Sequence, residues 1–255
     1  MKSLNRLLEI MATLRHSEDG CEWDRVQTFQ SIAPYTIEEA YEVSDAIDRD
    51  DMKDLRGELG DLLLQVVFHS RIAEEAGHFD FQDVASSIAN KMEARHPHIF
   101  GLESGAMDSA RWEDVKANER RERGAVSAMD DVAAALPALM RAEKLQKRAA
   151  RTGFDWPDPI GAEEKIFEEL GELKEAAEAD RTEEAGDLLF AVVNFLRKHD
   201  IAPEDALRQA NAKFERRFRA MEIAAEGEFA ALSSDQQEER WREVKFRERS
   251  PDNQD

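Results

Sequence analysis

An internal repeat constrains the fold of this chain more than any other feature of the sequence. Residues 58–68 read ELGDLLLQVVF and residues 184–194 read EAGDLLFAVVN, so seven of the eleven positions are identical. The identical positions include both acids, the glycine between them and the Leu-Leu pair. Further segments recur in the same order, such as GCEWD at 20–24 and GFDWPD at 153–158, with offsets of 122 to 133 residues between copies. A repeat of this length corresponds to a whole domain, so we expect two tandem duplicated domains.

Helical periodicity dominates both copies. Apolar and small residues recur at i, i+3, i+4 and i+7 in 37–47 and 55–67, and again in 162–179, 184–198 and 204–224. No long segment alternates apolar and polar residues with a period of two, so strands are not required. We therefore predict an all-α fold made of two helical bundles.

The boundary between the two domains is expected near residue 124. The stretch 116–131 is charged, contains Gly124 and lacks a clear apolar face. We assign the N-terminal domain to residues 1–124 and the C-terminal domain to residues 125–255.

Composition narrows the functional class. The net charge is −21, because 56 acidic residues outnumber 35 Lys and Arg residues, so we expect no direct binding to nucleic acid, which depends on net release of phosphate counterions by basic groups. Acidic groups that first bind Mg²⁺ are still able to bind phosphates.

The single cysteine, Cys21, excludes an internal disulfide framework. The amphipathic N-terminus lacks a signal-peptide core and no run reaches membrane-spanning length, so we expect a cytoplasmic protein that does not enter a membrane.

Acidic residues recur at helical spacing in both copies. In the first copy Glu39 and Glu42 share one helix face, as do Glu58 and Asp61. Like charges at this spacing are destabilising, and more so if the flanking leucines are buried. Mg²⁺ would compensate, because it takes oxygen ligands in octahedral geometry and keeps positions for water and phosphate. The alternative is a solvated acidic face that arose by chance, but the second copy of the pattern argues against it.

A glycine lies between the two acids in each copy, at Gly60 and Gly186. Glycine inside a helix costs about 1 kcal/mol relative to alanine. We interpret the two glycines as sites where another helix approaches closely beside the acids.

These motifs resemble the all-α nucleoside triphosphate pyrophosphohydrolases, whose signature is Glu-Glu-x-x-Glu followed by Glu-x-x-Asp. The fuller resemblance is to the MazG branch. GCEWDRVQTFQSIAPYTIEEAYEV, RGELGDLLLQVVF and ARHPHIFG are similar to its N-terminal domain. KLQKRAARTGFDW, EELGEL, EEAGDLLFAVVN, NAKFERRF and RWREVK are similar to its C-terminal domain. The resemblance covers nearly the whole chain.

The resemblance implies Mg²⁺-dependent hydrolysis of a nucleoside triphosphate, ATP among them, to the monophosphate and pyrophosphate, with Mn²⁺ as a substitute for Mg²⁺. It implies a homodimer as well, since each half supplies few long helices and a bundle needs about four. The implied metal ligands of the second half are Glu169, Glu172, Glu184 and Asp187. The implied ligands of the first half are Glu39, Glu42, Glu58 and Asp61, with Glu38 alongside. Glu168 is the candidate for the general base.

Basic and aromatic residues of the second half are candidates for substrate binding. These are Lys165, Lys213, Arg216, Arg217, Trp241 and Lys245. Each has a structural alternative: Trp241 is also suited to packing, and the two arginines to balancing nearby acids.

The second half is expected to be the principal site. Before GFDW it carries Lys144, Lys147, Arg148 and Arg151, where the first half has Met11, Leu14, Arg15 and Glu18. This argument holds if those basic side chains point at the substrate. The first half would then be a weaker site or a structural, dimerising copy.

Two alternatives to this function stay open. One is a regulatory protein that senses nucleotides or Mg²⁺ without turnover. The other is a narrow enzyme for dUTP or for phosphoribosyl-ATP, which the two tandem copies and the MazG-specific flanking motifs disfavour.

Overall fold

The computed structural model describes residues 2–101, 109–225 and 227–249, and every regular element within these ranges is helical. The prediction of an all-α fold is confirmed. The chain divides into two compact units, residues 1–115 and 116–255, and each unit contains one copy of the duplicated helices.

The first unit contains an N-terminal helix, two long helices that carry its acids, and further helices between and after them. Its helices are α1 (Lys2–Leu14), α2 (Glu22–Arg25), α3 (Phe29–Asp48), α4 (Met52–Glu75), α5 (Phe81–Arg95) and α6 (Pro97–Phe100). The core lies where α1, α3 and α4 meet, because α4 packs against both of the other two. Its buried side chains are Met11, Ile32, Val67, Phe68 and Ile72.

Helix α7 (Ser109–Glu122) crosses the division between the units. The sequence placed the domain boundary after residue 124, whereas the two units separate between Val115 and Lys116. The charged stretch continues the helix as far as Glu122. The chain then turns at Gly124, whose φ of 90° is accessible to glycine at little cost.

The second unit repeats the arrangement with four longer helices and a closing helix. They are α8 (Ala138–Arg151), α9 (Pro159–Glu175), α10 (Arg181–Lys198), α11 (Pro203–Ala224) and α12 (Ser234–Arg249). Helix α10 packs most extensively against α9 and also against α8, while α12 packs against α11.

Two expectations about the acid-bearing helices α4 and α10 are wrong for a single chain. The helical periodicity of 55–67 predicts that Leu59 and Leu63 lie on a buried face, but they are 50% and 40% exposed. Gly60 and Gly186 were expected to mark a close helix approach, but a Cβ at either position would meet no described atom within 4 Å. The faces that carry these residues are therefore open in the single chain.

Among the described helices, none combines the length and the apolar character that crossing a bilayer requires.

Candidate active site

Two helix pairs carry the repeated acids, and each pair starts from a capped helix. Thr28 begins α3 in a capping box with Ser31. The corresponding position before α9 is Asp158, whose carboxylate accepts a hydrogen bond of 2.9 Å from the Ile160 backbone N–H. Caps of this kind satisfy backbone donors at the helix start and fix where the helix begins. The first helix of each pair therefore begins at a fixed residue, which sets the positions of the acids along it.

The second unit brings three carboxylates together between α9 and α10. One oxygen each of Glu169, Glu172 and Glu184 lies within 4.8 Å of the other two. Glu169 is only 4% exposed, and its Oε2 is buried without a hydrogen-bond partner in the described part of the chain. Oxygen donors in this grouping fit a hard divalent cation such as Mg²⁺. The unpartnered carboxylate oxygen is a second observation that points to a cation here.

The first unit forms a corresponding cluster between α3 and α4. One oxygen each of Glu39, Glu58 and Asp61 lies within 4.8 Å of the others. Loss of solvent raises the pKa of Glu39, and the negative charges of Asp61 and Glu42 raise it further. Loss of solvent also raises the pKa of Glu58, with the charge of Glu42 as the next cause. Crowding and loss of solvent thus disfavour the charged form of these carboxylates, and a nearby positive charge would favour it.

Each cluster contains three of the four ligands that the resemblance implied. In the first unit the fourth, Glu42, lies beside the cluster and shares a hydrogen bond with Glu39. In the second unit the fourth, Asp187, lines a cavity that Glu169 also lines. The predicted residues are therefore neighbours in the fold, while their roles as ligands remain predictions.

A lysine lies against the second cluster. The Lys165 ammonium is 2.7 Å from an oxygen of Glu168 and 2.6 Å from Oε1 of Glu169. These hydrogen bonds raise the pKa of Lys165, so it stays cationic. The pKa of Glu172 is raised, first by partial desolvation and then by the charge of Glu169. Lys165 thus offsets part of the negative charge and lies where it could also meet a phosphate.

Beside this cluster lies a cavity of about 670 Å³. Gln146 and Ala149 of α8 form one wall, and Asn194 of α10 lies in another. Rings contributed by Phe154, Trp156 and Phe190 make much of the lining apolar. Lys165, Glu169 and Asp187 lie along the same cavity, so an apolar chamber adjoins the carboxylates.

An ion-pair network holds the Trp156 loop at the cavity. Burial by itself would raise the pKa of Asp155, but hydrogen bonds from Arg197 and Lys198 lower it. Lys198 also donates a bond of 2.6 Å to the Trp156 carbonyl oxygen. The indole packs directly on Gly161, where an added Cβ would lie 1.5 Å from the ring. Glycine at this position is therefore required by the ring.

Five of the predicted substrate-binding residues lie on α11 and α12. Arg217 and Arg216 both pair with Glu248, at 2.7 and 3.1 Å, and these contacts lower the pKa of Glu248. The Trp241 ring has the Arg217 guanidinium 5.5 Å away and the Lys245 ammonium 5.8 Å away. Lys213 is exposed on α11. In the single chain the two arginines balance an acid, which is the structural alternative that the sequence left open.

The four basic residues before GFDW do not line the cavity, which α8 faces with Leu145, Gln146 and Ala149. Lys147 pairs with Glu143 at 2.5 Å, and Arg148 donates to the Ala128 carbonyl oxygen. The argument that these basic side chains point at the substrate is therefore not supported at the cavity, and the cavity itself is a further difference between the halves.

Sequence reasoning missed the residues that form this cavity. Aligning the two copies on their shared acids places Asn194 opposite Phe68 and Ala162 opposite Ile32. The first-unit residues are large, apolar and buried in its core. The cavity could have been predicted by comparing the two copies, because these positions are bulky and apolar in the first copy but small or polar in the second.

Comparison with known proteins assigns the family. The description "MazG nucleotide pyrophosphohydrolase domain" matches residues 27–100. The nucleoside triphosphate pyrophosphohydrolase of Escherichia coli K12 is 50% identical over 260 residues, which cover 97% of this chain and 99% of the relative. The nucleoside triphosphate pyrophosphohydrolase/pyrophosphatase MazG of Thermotoga maritima is 45% identical, with 94% of each chain covered. The nucleoside triphosphate pyrophosphohydrolase of Mycolicibacterium smegmatis is 39% identical over 58% of this chain and 47% of its own. The chain therefore belongs to the MazG family of nucleoside triphosphate pyrophosphohydrolases.

Proposed function

We propose that this protein hydrolyses nucleoside triphosphates to the monophosphate and pyrophosphate at the carboxylate cluster of its second unit. The relatives that are 45 to 50% identical are named for this activity, and this chain is an enzyme of the same kind. The observation that carries the assignment to the second unit is the contact between the cluster of Glu169, Glu172 and Glu184 and a cavity large enough for a nucleoside.

The metal in this proposal is Mg²⁺, with Mn²⁺ as a substitute. Glu169, Glu172 and Glu184 would hold it, joined by Asp187 from the cavity wall. When bound, the ion supplies charge neutralisation for the phosphates and lowers the pKa of a water molecule. The protein contributes the fixed carboxylate grouping, and Lys165 adds a positive charge that suits the triphosphate.

Glu168 is the proposed general base. It is exposed, it lies outside the group of three clustered oxygens, and one of its oxygens accepts a hydrogen bond from Lys165. Because Lys165 also pairs with Glu169, the Glu168 carboxylate lies near the cluster, where it would accept a proton from the attacking water. Water adds at the α-phosphorus, the bond to the bridging oxygen breaks, and pyrophosphate leaves.

The test is hydrolysis in water enriched in ¹⁸O, with Mg²⁺ and the eight common ribo- and deoxyribonucleoside triphosphates. We expect pyrophosphate release and ¹⁸O in the monophosphate only, which phosphorus NMR distinguishes from label in pyrophosphate. Label in pyrophosphate would contradict attack at the α-phosphorus. Release from dUTP alone would support the narrow enzyme, and release from no nucleotide would support the sensing role.

We further propose a homodimer. Large apolar side chains are exposed on the acid-bearing helices of both units, including Tyr41, Leu59, Phe167 and Leu189, which are 48 to 66% exposed. Contiguous apolar surface on a soluble protein is typical of an interface. Sedimentation equilibrium at micromolar concentration should give twice the mass of one chain; the mass of a single chain would contradict the proposal.

We also propose that the partner is the nucleotide and not nucleic acid, which the net negative charge supports. The protein is proposed to act in the cytoplasm, which the single cysteine supports.

A further inference from the structure

We propose that the cavity beside Glu169 holds the nucleobase of the substrate, and that Oε1 of Gln146 selects the base by accepting a hydrogen bond from an exocyclic amino group on its edge. This inference rests on the proposed function and adds the residue that reads the base.

The side-chain amide of Gln146 is fixed in one orientation. Its Nε2 donates a hydrogen bond of 2.8 Å to the Phe190 carbonyl oxygen on α10. Gln146 is 7% exposed, and its Oε1 is buried with no hydrogen-bond partner in the ranges that the structure describes. A buried acceptor without a donor is unfavourable, and cores seldom keep one without a function. Since Gln146 lines the cavity, the missing donor is best supplied by the molecule that enters it.

The cavity has the chemistry of a base pocket. Its volume of about 670 Å³ lies within the range typical of small-molecule sites. The rings of Trp156 and Phe190 offer apolar faces, and a planar base stacks well on aromatic side chains. Because Lys165 and Glu169 lie along the same cavity, a base held inside would leave its phosphates near the carboxylate cluster.

The first unit provides an internal comparison, because the same positions are filled there. Phe68 stands where Asn194 lines the cavity, and Ile32 stands where Ala162 does. Phe68 and Ile32 are 4% and 1% exposed and belong to one apolar core. Both units keep a carboxylate cluster, so the open chamber is the feature that distinguishes the second unit as the one that recognises a base.

The first experiment measures binding without turnover. Nucleoside monophosphates are titrated into the full-length protein in EDTA by calorimetry, using two matched pairs of probes. One pair is AMP and purine riboside monophosphate; the other is CMP and zebularine monophosphate. The second member of each pair lacks the exocyclic amino group, so it offers Gln146 no N–H on its edge. We expect the wild type to bind the amino-bearing member of at least one pair about tenfold more tightly, which is the usual effect of one lost hydrogen bond in a buried site.

Gln146→Leu should abolish this preference, while Gln30→Leu, at an exposed position of α3, should retain it. Equal binding of all four probes by the wild type, or an unchanged preference in Gln146→Leu, would overturn the role of Gln146. Because these measurements need neither metal nor hydrolysis, they remain informative even if no triphosphate is hydrolysed.

The second experiment fills the cavity. Asn194→Phe introduces the residue that the first unit carries at this position, and we expect monophosphate binding to weaken more than tenfold. Thermal unfolding and Mn²⁺ binding, followed by electron paramagnetic resonance, should stay as in the wild type and so show an intact fold and cluster. Undiminished monophosphate binding in a folded Asn194→Phe protein would overturn the base pocket. If the variant unfolds, Ala162→Val, which fills less of the cavity, replaces it with the same expected direction.

Discussion

Both units keep a carboxylate cluster between the acid-bearing helices, but they differ in what lies beside it. In the second unit a chamber lined by Asn194 and Ala162 adjoins Glu169. In the first unit Phe68 and Ile32 occupy the corresponding positions and pack into the core. A duplicated carboxylate frame therefore accompanies two different interiors, one open and one filled.

This difference teaches that acids alone do not distinguish the copies. The acids recur in both copies, whereas two large apolar side chains occupy the position of the chamber in the first unit. The filled interior gains the free energy of burying a phenylalanine and an isoleucine, so a copy that gives up the chamber gains stability. Matched substitutions in the two units test whether they are divided into a catalytic and a structural copy.

The largest effect is expected from removing one acid in each unit. Glu172→Ala should lower the rate of pyrophosphate release about 10³-fold, because loss of the bound metal removes several kcal/mol of transition-state stabilisation. Glu42→Ala, the matched change in the first unit, should lower it less than about fivefold. Steady-state pyrophosphate release with Mg²⁺ and a nucleotide panel measures both. Loss of turnover only in Glu42→Ala would reverse the assignment of the two units.

The interiors should respond to truncation in opposite ways. Phe68→Ala should reduce the free energy of unfolding of the first unit by about 3–5 kcal/mol, since it leaves a hole in a packed core. Asn194→Ala should cost less, about 1–2 kcal/mol, because it leaves no hole in a packed core but removes the hydrogen bonds that the Asn194 side-chain oxygen accepts from Arg197. Urea unfolding followed by circular dichroism provides the comparison. Similar losses for the two variants would show that the chamber is not open in solution.

The sequence was a good guide to the helices and to the acids, for physical reasons. Helical periodicity is local, so α4 and α10 follow from the spacing of their leucines, and the acid pairs follow from i, i+3 neighbours. The cavity depends on contacts between α8, a loop and α10, which no local pattern records. The exposure of Leu59 was not predicted from the sequence, because an apolar stripe predicts burial but does not say whether the surface that covers it belongs to the same chain. Gly60 was misread for the same reason.

A pH-dependent ion pair contributes to the stability of the first unit. Burial by itself would raise the pKa of Glu75, but hydrogen bonds from Arg15 and Arg71 lower it. Arg15 is 9% exposed and pairs with Glu75 at 2.7 Å. Since the folded pKa lies below the unfolded value of about 4.3, the pair stabilises above pH 4.3 and this stability is lost as pH falls through the folded pKa. Glu75→Gln should destabilise by about 1–3 kcal/mol at pH 7, discounted for the partly exposed carboxylate.

The check for Glu75→Gln is thermal unfolding across pH 3 to 7. The melting temperatures of the variant and the wild type should converge as the pH falls below the unfolded pKa and through the lowered folded pKa of Glu75. As a control, Glu74→Gln changes a more exposed acid that pairs with Arg71 and should matter little at any pH. A difference between Glu75→Gln and wild type that stays constant down to pH 3 would contradict the ion pair as its cause.

The smallest effect is expected at the glycine that supports the chamber wall. A Cβ on Gly161 would lie 1.5 Å from the Trp156 ring, so Gly161→Ala should force the indole to move while α9 keeps its helical backbone. Because the ring is a wall of the chamber, monophosphate binding should weaken about tenfold, which corresponds to about 1.4 kcal/mol. Gly57→Ala on α4 is the matched control: its Cβ would meet no described atom within 4 Å, so it should leave binding unchanged and stabilise the protein by up to about 1 kcal/mol. Calorimetric titration and the fluorescence of Trp156, compared with a Trp156→Phe background, separate the two variants. If Gly161→Ala shifts the indole emission but leaves monophosphate affinity unchanged, the ring does not form part of the occupied chamber.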